Sequence, residues 1–268
     1  MVGVMLLKEL EFDDKVFDQY KNWYFQEKHN GERALLSIKG GKVVGIVNRS
    51  GNNVKPRWPE LSGLEFPGIQ SALVDFEACV LVNGKSMFYN GINQRRAIPS
   101  PDRLKFPVVA MAFDLLHLDG QPLTGKAYRE RYALLNEKFK ECDNFKIVGN
   151  IDSPRDYWKN KVIMENREGL VIKDPSAIYL PDQRVATQLK LKYYKRADVT
   201  VLALEPNPKG VKISGYATVN GDRVEAECQW SSMGFENIKI GDVVEVEFLD
   251  IVNNKMVQPH KVRGSIID

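Results

Sequence analysis

Short apolar runs broken by turn dipeptides constrain this chain more than any other feature. Asn30-Gly31, Gly40-Gly41, Asn83-Gly84, Asp119-Gly120, Asn220-Gly221 and Asn253-Asn254 each fall between stretches rich in β-branched and aromatic residues. Such pairs tolerate positive φ and close tight hairpins. The pattern predicts strands over residues 23–27, 33–38, 42–48, 72–82, 85–89 and 106–118, and again over 169–173 and 188–193. Helices are sparser. Residues 13–21 suit a short one. Tyr128, Tyr132, Leu135 and Phe139 recur at helical spacing. Ser153-Pro154 reads as a capped helix start leading to about Asn166. Residues 52–67, rich in proline and polar side chains, read as loop.

The character changes after Lys195. Five β-rich runs, 199–204, 211–219, 223–229, 243–249 and 255–262, predict a small barrel of OB type. With 268 residues there is chain for two cores. The expectation is an α+β protein with a first domain over 1–195 and an all-β OB domain over 196–268. No apolar run approaches the ~20 residues of a membrane helix. Residues 1–8 are too short for a secretory signal. Cys79, Cys142 and Cys228 are widely spaced, which suits reduced core thiols in a cytoplasmic protein, and three scattered histidines do not suggest structural zinc. Net charge is only +3, yet residues 1–195 carry 30 basic against 24 acidic side chains and the remainder 8 against 11. Phosphate binding would therefore use local patches in the first part.

Lys28-His29-Asn30-Gly31-Glu32-Arg33 sets a lysine at a strand end beside a bend where backbone can approach a ligand. An ordinary hairpin with a solvated lysine is the alternative. Further polar groups interrupt strands that otherwise read as core: Asp75 and Glu77, Glu168, Lys173, and Lys190 with Lys192. Residues at i and i+2 share a strand face, so each pair projects together, either into solvent or into a groove for phosphates and a divalent metal.

In order, Lys28-His29-Asn30-Gly31-Glu32-Arg33, Asn48-Arg49-Ser50-Gly51, Val74-Asp75-Phe76-Glu77, residues 113–120 from Phe113 to Gly120, Glu168-Gly169-Leu170-Val171-Ile172-Lys173 and Leu189-Lys190-Leu191-Lys192 resemble the successive motifs of the ATP-dependent DNA ligases, within the covalent nucleotidyltransferases. The likeness spans residues ~22–195. It implies a nucleotidyltransferase domain of ATP-grasp-like antiparallel sheets with helices, then an OB domain, in a minimal monomeric enzyme without a separate N-terminal DNA-binding domain or zinc finger.

The resemblance also implies a chemistry: AMP passes from ATP to a lysine, then to the 5′-phosphate of nicked duplex DNA, and the 3′-hydroxyl displaces it. Lys28 would be the nucleophile, with Arg33, Lys190 and Lys192 as further catalytic groups. A free lysine is neutral in only about one molecule in 10³ at pH 7; Lys173, Lys190, Lys192 and Mg²⁺ (or Mn²⁺) would lower its pKa and steady the phosphoryl group. Glu77 and Glu168 would hold the metal, and Phe113 would stack on adenine. Arg33 and Arg49 would grip the sugar and the nick phosphate. Gln26 and Glu27 complete the nucleotide site. DNA contacts would come from Arg49, Lys55, Arg57, Arg95, Arg96 and Arg263, although solvated surface suits the segments around Lys55 and Arg95 as well. Three positions depart from the family pattern. Asn30 replaces the usual aspartate, and Gln26 replaces a glutamate that reads the adenine amino group. The C-terminal basic motif is reduced to Pro259-His260-Lys261-Val262-Arg263. RNA ligases and mRNA-capping guanylyltransferases are the neighbouring readings, and a non-catalytic nucleic-acid-binding module is the one of a different class.

Overall fold

The computed structural model describes residues 3–88, 91–97, 101–208, 210–230 and 238–267, with 101, 103, 207, 229, 230 and 261–267 described by backbone alone. The chain divides into two compact units, Met1–Lys192 and Tyr193–Asp268. Among the described residues no helix is long and apolar enough to cross a membrane.

The first unit contains β1 (Leu6–Leu10), β2 (Tyr24–Glu27), β3 (Glu32–Lys39), β4 (Lys42–Asn48), β5 (Ser71–Val82), β6 (Lys85–Met87), β7 (Val108–Leu118), β8 (Gln121–Pro122), β9 (Phe145–Ile147), β10 (Gly169–Lys173) and β11 (Arg184–Lys192). One sheet has the order β4-β3-β5-β7-β8, with β6 on β5 and β9 on β7; the other runs β1-β11-β10-β2. The sheets are not wholly antiparallel as expected, because β1 pairs parallel with β11 and β9 parallel with β7. Nothing in the alternation of residues 6–10 marked them as a strand.

Period-two alternation sorts β5 cleanly. Ala72, Val74, Phe76, Ala78 and Val80 enter the main core, while Asp75, Glu77 and Cys79 occupy the opposite face. In β7, Val108, Ala110 and Ala112 join that core. Asp75 faces Asp114 across the sheet but Phe76 faces Ala112, so Phe113 is an extra, bulged residue. A bulge bends its strand and re-aims a side chain. The helix Tyr128–Lys138 lies against β7 and buries Tyr128, Arg131 and Leu135.

Several expectations need correction. Residues 23–27 and 33–39 form no hairpin: β2 pairs with β10, whereas β3 pairs with β4 and β5. The chain crosses between sheets at residues 28–31, and neither Asn30 nor Gly31 has positive φ. Gly31 is required by space instead. A Cβ there would lie 2.3 Å from the Ala78 carbonyl oxygen, 2.7 Å from Glu77 Cγ and 2.9 Å from Cys79 Sγ. Residues 52–67 are no solvent loop. Lys55–Arg57 and Pro59–Ser62 form short helices, and Val54, Trp58, Leu61 and Phe66 are buried in the core, which overrides the proline-rich composition. The helix from Pro154 opens after Tyr157 into a wider turn over Trp158–Ile163, and the Ser153 side chain makes no capping bond. Cys142 is exposed rather than in a core.

The second unit is one sheet of β12 (Lys195–Asn207), β13 (Gly210–Val219), β14 (Asp222–Trp230), β15 (Val243–Phe248), β16 (Asp250–Val252), β17 (Lys255–Val257) and β18 (His260–Ile267). Its order is β16-β17-β14-β13-β12-β15-β18, and it curls until β14 approaches β18. Val224, Ala226 and Cys228 alternate inward opposite Val244, Val246 and Phe248. Asn220 and Gly221 (φ 53° and 89°) close one hairpin, and Asn253 and Asn254 (φ 51° and 58°) another. The run 255–262 is split at Gln258, where φ is 48°.

Gly31→Ala is expected to lower the melting temperature by at least about 2 °C, since overpacking costs about 1–3 kcal/mol and each kcal/mol shifts Tm by about 2–4 °C. A thermal melt checks it; an unchanged midpoint would show that β5 yields to a methyl group.

Candidate active site

Lys28 stands at the crossing between the two sheets. Its backbone N–H donates to the Gly169 carbonyl at 2.9 Å, extending the β2–β10 ladder by one residue. Gly169 has φ 146°, and a Cβ there would meet the Leu191 carbonyl oxygen at 2.0 Å. The residue before it, Glu168, is thereby held against Lys28, with Nζ to Oε1 at 2.8 Å.

Charge at this point differs from the expectation that cations lower the Lys28 pKa. Burial lowers it, but Glu168 and Glu77 outweigh burial, so the net shift is upward and Lys28 is held as an ammonium. Glu168 lies 2.8 Å from Nζ, which is the physical reason. Burial pushes Glu77 up to about 7, with Lys28 opposing and Glu168 adding to the shift. Glu168 Oε2 is buried and has no hydrogen-bond partner among the described residues. A Mg²⁺ ion takes one or two carboxylates and leaves its remaining positions to water and phosphate. An orphaned carboxylate oxygen beside a second, destabilised carboxylate fits that donor set. Among the described residues no group of three or more acidic, histidine or cysteine side chains forms a self-sufficient metal cage.

One pocket opens on the Lys28 side chain and is lined by Leu7, Gln26, Phe113, Val148, Val171, Lys173 and Gln188, with Glu27, His29, Arg33 and Glu77. The β7 bulge supplies Phe113. Lys173 does not join Lys190 and Lys192. Its Nζ lies 4.4 Å from the Phe113 ring centre and 4.5 Å from that of Tyr128, and burial pulls its pKa down to about 7. Arg33 is fixed by Asp75 through Nε at 3.0 Å and Nη2 at 2.7 Å, and Tyr179 donates to the same carboxylate at 2.7 Å. It lies over Phe113, 5.3 Å from the ring centre. Glu27 is held by both Arg167, at 2.8 and 2.7 Å, and the Tyr157 hydroxyl.

A second, open groove shares Lys28, Arg33 and Glu77 with this pocket. Arg49, Arg57, Arg96, Arg184, Lys190 and Lys192 line it, together with Glu32 and Glu168. Arg49 and Arg96 are exposed, and Arg57 is ion-paired with Glu32. Lys190 pairs with Glu9 at 2.9 Å, while burial and then Lys190 lower the Lys192 pKa. Lys55 lines neither cavity.

Arg95, expected at DNA, is instead wholly buried. It pairs with Glu60 and donates to the carbonyls of Phe106 at 2.8 Å and Arg57 at 2.9 Å, so it ties the short helices to β7. The side chains of Lys261 and Arg263 lie outside the described residues. Sequence reasoning missed Arg184, Tyr128 and Arg167. Arg167 precedes Glu168 as Glu27 precedes Lys28, a parallel that could have suggested their pairing; the other two carried no local signal.

A family model described as the ATP-dependent DNA ligase domain matches residues 4–192. Over 206 residues the chain is 29% identical to "DNA ligase 2" of Korarchaeum cryptofilum, covering 71% of this chain and 34% of that protein. Over 188 residues it is 30% identical to the "Probable DNA ligase" of Aquifex aeolicus, covering 66% of this chain and 31% of that one. The chain thus spans about a third of the length of these relatives. In fold it is similar to a Lig E DNA ligase, at TM-score 0.69 and 19% identity over 98% of this chain and 99% of that one. It is also similar to the ligase domain of M. tuberculosis LigD, at TM-score 0.63 and 20% identity over 97% and 93%. The chain belongs to the ATP-dependent DNA ligase family.

Proposed function

We propose that this chain seals nicks in duplex DNA, taking AMP from ATP onto Lys28 and passing it to the 5′-phosphate of the nick. The first unit is then the adenylation domain and the second an OB domain. The observation that carries the reading is the position of Lys28 on the wall shared by an aromatic-lined pocket and an open cationic groove. A nucleophile that meets a nucleotide on one side and a nucleic-acid phosphate on the other needs that placement.

In the first step the Lys28 amine attacks the α-phosphorus and pyrophosphate leaves, forming a phosphoramidate. Lys28 must shed its proton first, and Glu168 and Glu77 oppose this until their charge is engaged elsewhere. Glu77 and Glu168 would hold Mg²⁺ or Mn²⁺, which supplies neutralisation of phosphate charge. Phe113, in the pocket lining with Val171, would stack on the base, and Arg33, immobilised by Asp75, would grip the sugar. Lys190 and Lys192 face the groove, where cations stabilise charge on the transferring phosphoryl group. Exposed Arg49 and Arg96 suit the nick phosphates, which bind chiefly through such cations. In the later steps the 5′-phosphate takes AMP from Lys28 and the 3′-hydroxyl displaces it.

Lys28→Ala is expected to abolish sealing with ATP while sparing a nick already carrying 5′-AMP. Single-turnover assays on both substrates check this, and equal loss on both would make Lys28 structural. Glu168→Ala should impair adenylylation with nick affinity kept in a gel shift. Comparison of DNA with RNA nicks tests the DNA assignment.

Lys173 gives a pH-dependent expectation. Its pKa in the folded chain, about 7, lies below the 10.5 of an unperturbed lysine. The unfolded chain therefore binds more protons between those values, and stability rises with pH across that window. The burial penalty is full below about pH 7. Lys173→Met is expected to stabilise the protein at pH 7, with its advantage shrinking by about 2 kcal/mol at pH 9. Denaturant titrations at the two pH values read this directly; a constant advantage would mean Lys173 stays charged.

A further inference from the structure

Arg57 differs from the other arginines of the open groove. Arg49 and Arg96 are exposed, whereas the Arg57 side chain is 18% exposed and pairs with Glu32, itself 20% exposed. Both oxygens of that carboxylate are engaged. Oε2 accepts from Arg57 Nη2, and Oε1 accepts from Asn48 Nδ2 at 2.8 Å. The Asn48 Oδ1 in turn accepts from the backbone N–H groups of Ser50 and Asn52, at 3.1 and 2.9 Å, which holds the turn presenting Arg49. Arg57 is anchored from other sides as well. Its guanidinium carbon lies 5.1 Å from the Trp58 ring centre, and its carbonyl accepts from buried Arg95 at 2.9 Å. Its Nε is buried and has no hydrogen-bond partner among the described residues.

We propose that Glu32 is an internal surrogate for phosphate: it occupies Arg57 and so holds the affinity of the groove for duplex DNA below what its cations could give. This rests on reading the groove as the DNA-binding face. At a distance the carboxylate and the guanidinium cancel, so the pair neither attracts a backbone nor releases counterions. At contact, a phosphate reaches Arg57 only by displacing Glu32. That exchanges one anion for another and strands a largely buried carboxylate without its cation. Arg57 therefore makes no backbone contact while Glu32 is charged. Binding through backbone cations alone is indiscriminate, and a repulsive group set among them is one way to restrain it. Neutralising Glu32 leaves Arg57 in the groove, because Trp58 and the Arg95 bond to its carbonyl still anchor it.

Equilibrium binding of the full chain to a nicked duplex, measured over a series of salt concentrations, tests this. Glu32→Gln keeps an oxygen for Asn48 and removes the anion from Arg57. It is expected to tighten binding at least about threefold and to steepen the fall of log affinity with log salt by about 0.9, the increment of one further phosphate contact. The slope does not depend on how much of a preparation is folded. Glu65→Gln removes a carboxylate outside the groove lining and controls for net charge, so its slope should move less. Glu32→Gln combined with Arg57→Gln is expected to return the slope to that of the wild type. A Glu32→Gln chain that binds no tighter, or whose slope moves no more than that of Glu65→Gln, overturns the proposal. So does a double variant with a shallower slope than the wild type, which would make Arg57 a backbone contact that Glu32 positions. If the wild-type chain binds no duplex, the DNA reading fails and the restraint fails with it.

Discussion

Two backbone contacts that only glycine permits hold the site together. Gly31 presses on the Ala78 carbonyl of β5, and Gly169 presses on the Leu191 carbonyl of β11. The first fixes the chain leaving Lys28 to one sheet. The second fixes Glu168, the ion-pair partner of Lys28, to the other. With no Cβ at either point, each contact closes to backbone distance within its own sheet, and Lys28 and Arg33 line cavities with Glu77, Phe113 and Glu168, which are remote from them in sequence. Removing this closeness would leave each side chain on its own element with nothing to act upon.

The electrostatics of that volume follow from burial. A half-buried lysine between two carboxylates is the cheapest arrangement of these groups without a ligand, because each charge would otherwise lose solvent without compensation. The same arrangement disables the lysine as a nucleophile. On the proposed reading, engagement of the carboxylates and arrival of the nucleotide are therefore one event with the activation of Lys28. The orphaned Oε2 of Glu168 is consistent with a site whose hydrogen-bonding is completed only by what it binds.

Much of this was legible because strand alternation and turn chemistry are local. β5 declares its polar face through Asp75 and Glu77 between apolar neighbours, and the Asn-Gly and Asn-Asn turns of the second unit adopt the positive φ that their composition demands. The order of motifs carried the lysine, the carboxylates and the aromatic residue. What failed is non-local. Asn30-Gly31 has the composition of a hairpin turn, yet the glycine serves a tertiary contact, and no local rule separates the two uses. Arg95 looks like a surface arginine beside Arg96, but Glu60 lies 35 residues away in sequence and reaches it only through the fold. The bulge at Phe113 likewise depends on pairing with β5 rather than on residues 108–118 themselves.

The lysines divide along the site in a way their spacing did not suggest. Lys190 and Lys192 alternate with buried leucines on β11 and face the groove. Lys173, opposite Gln188 in register, points instead between two aromatic rings. The groove offers Lys190 and Lys192 to phosphates, whereas the aromatic-lined pocket holds an amine whose pKa burial pulls down to about 7. A single lysine serves one of these ends, because the burial that neutralises it also removes it from the solvent path along which a phosphate backbone approaches. The division therefore follows from depth. β10 carries Lys173 inward under Phe113 and Tyr128, β11 keeps Lys190 and Lys192 at the rim, and Lys28 lies between them, reachable from either side.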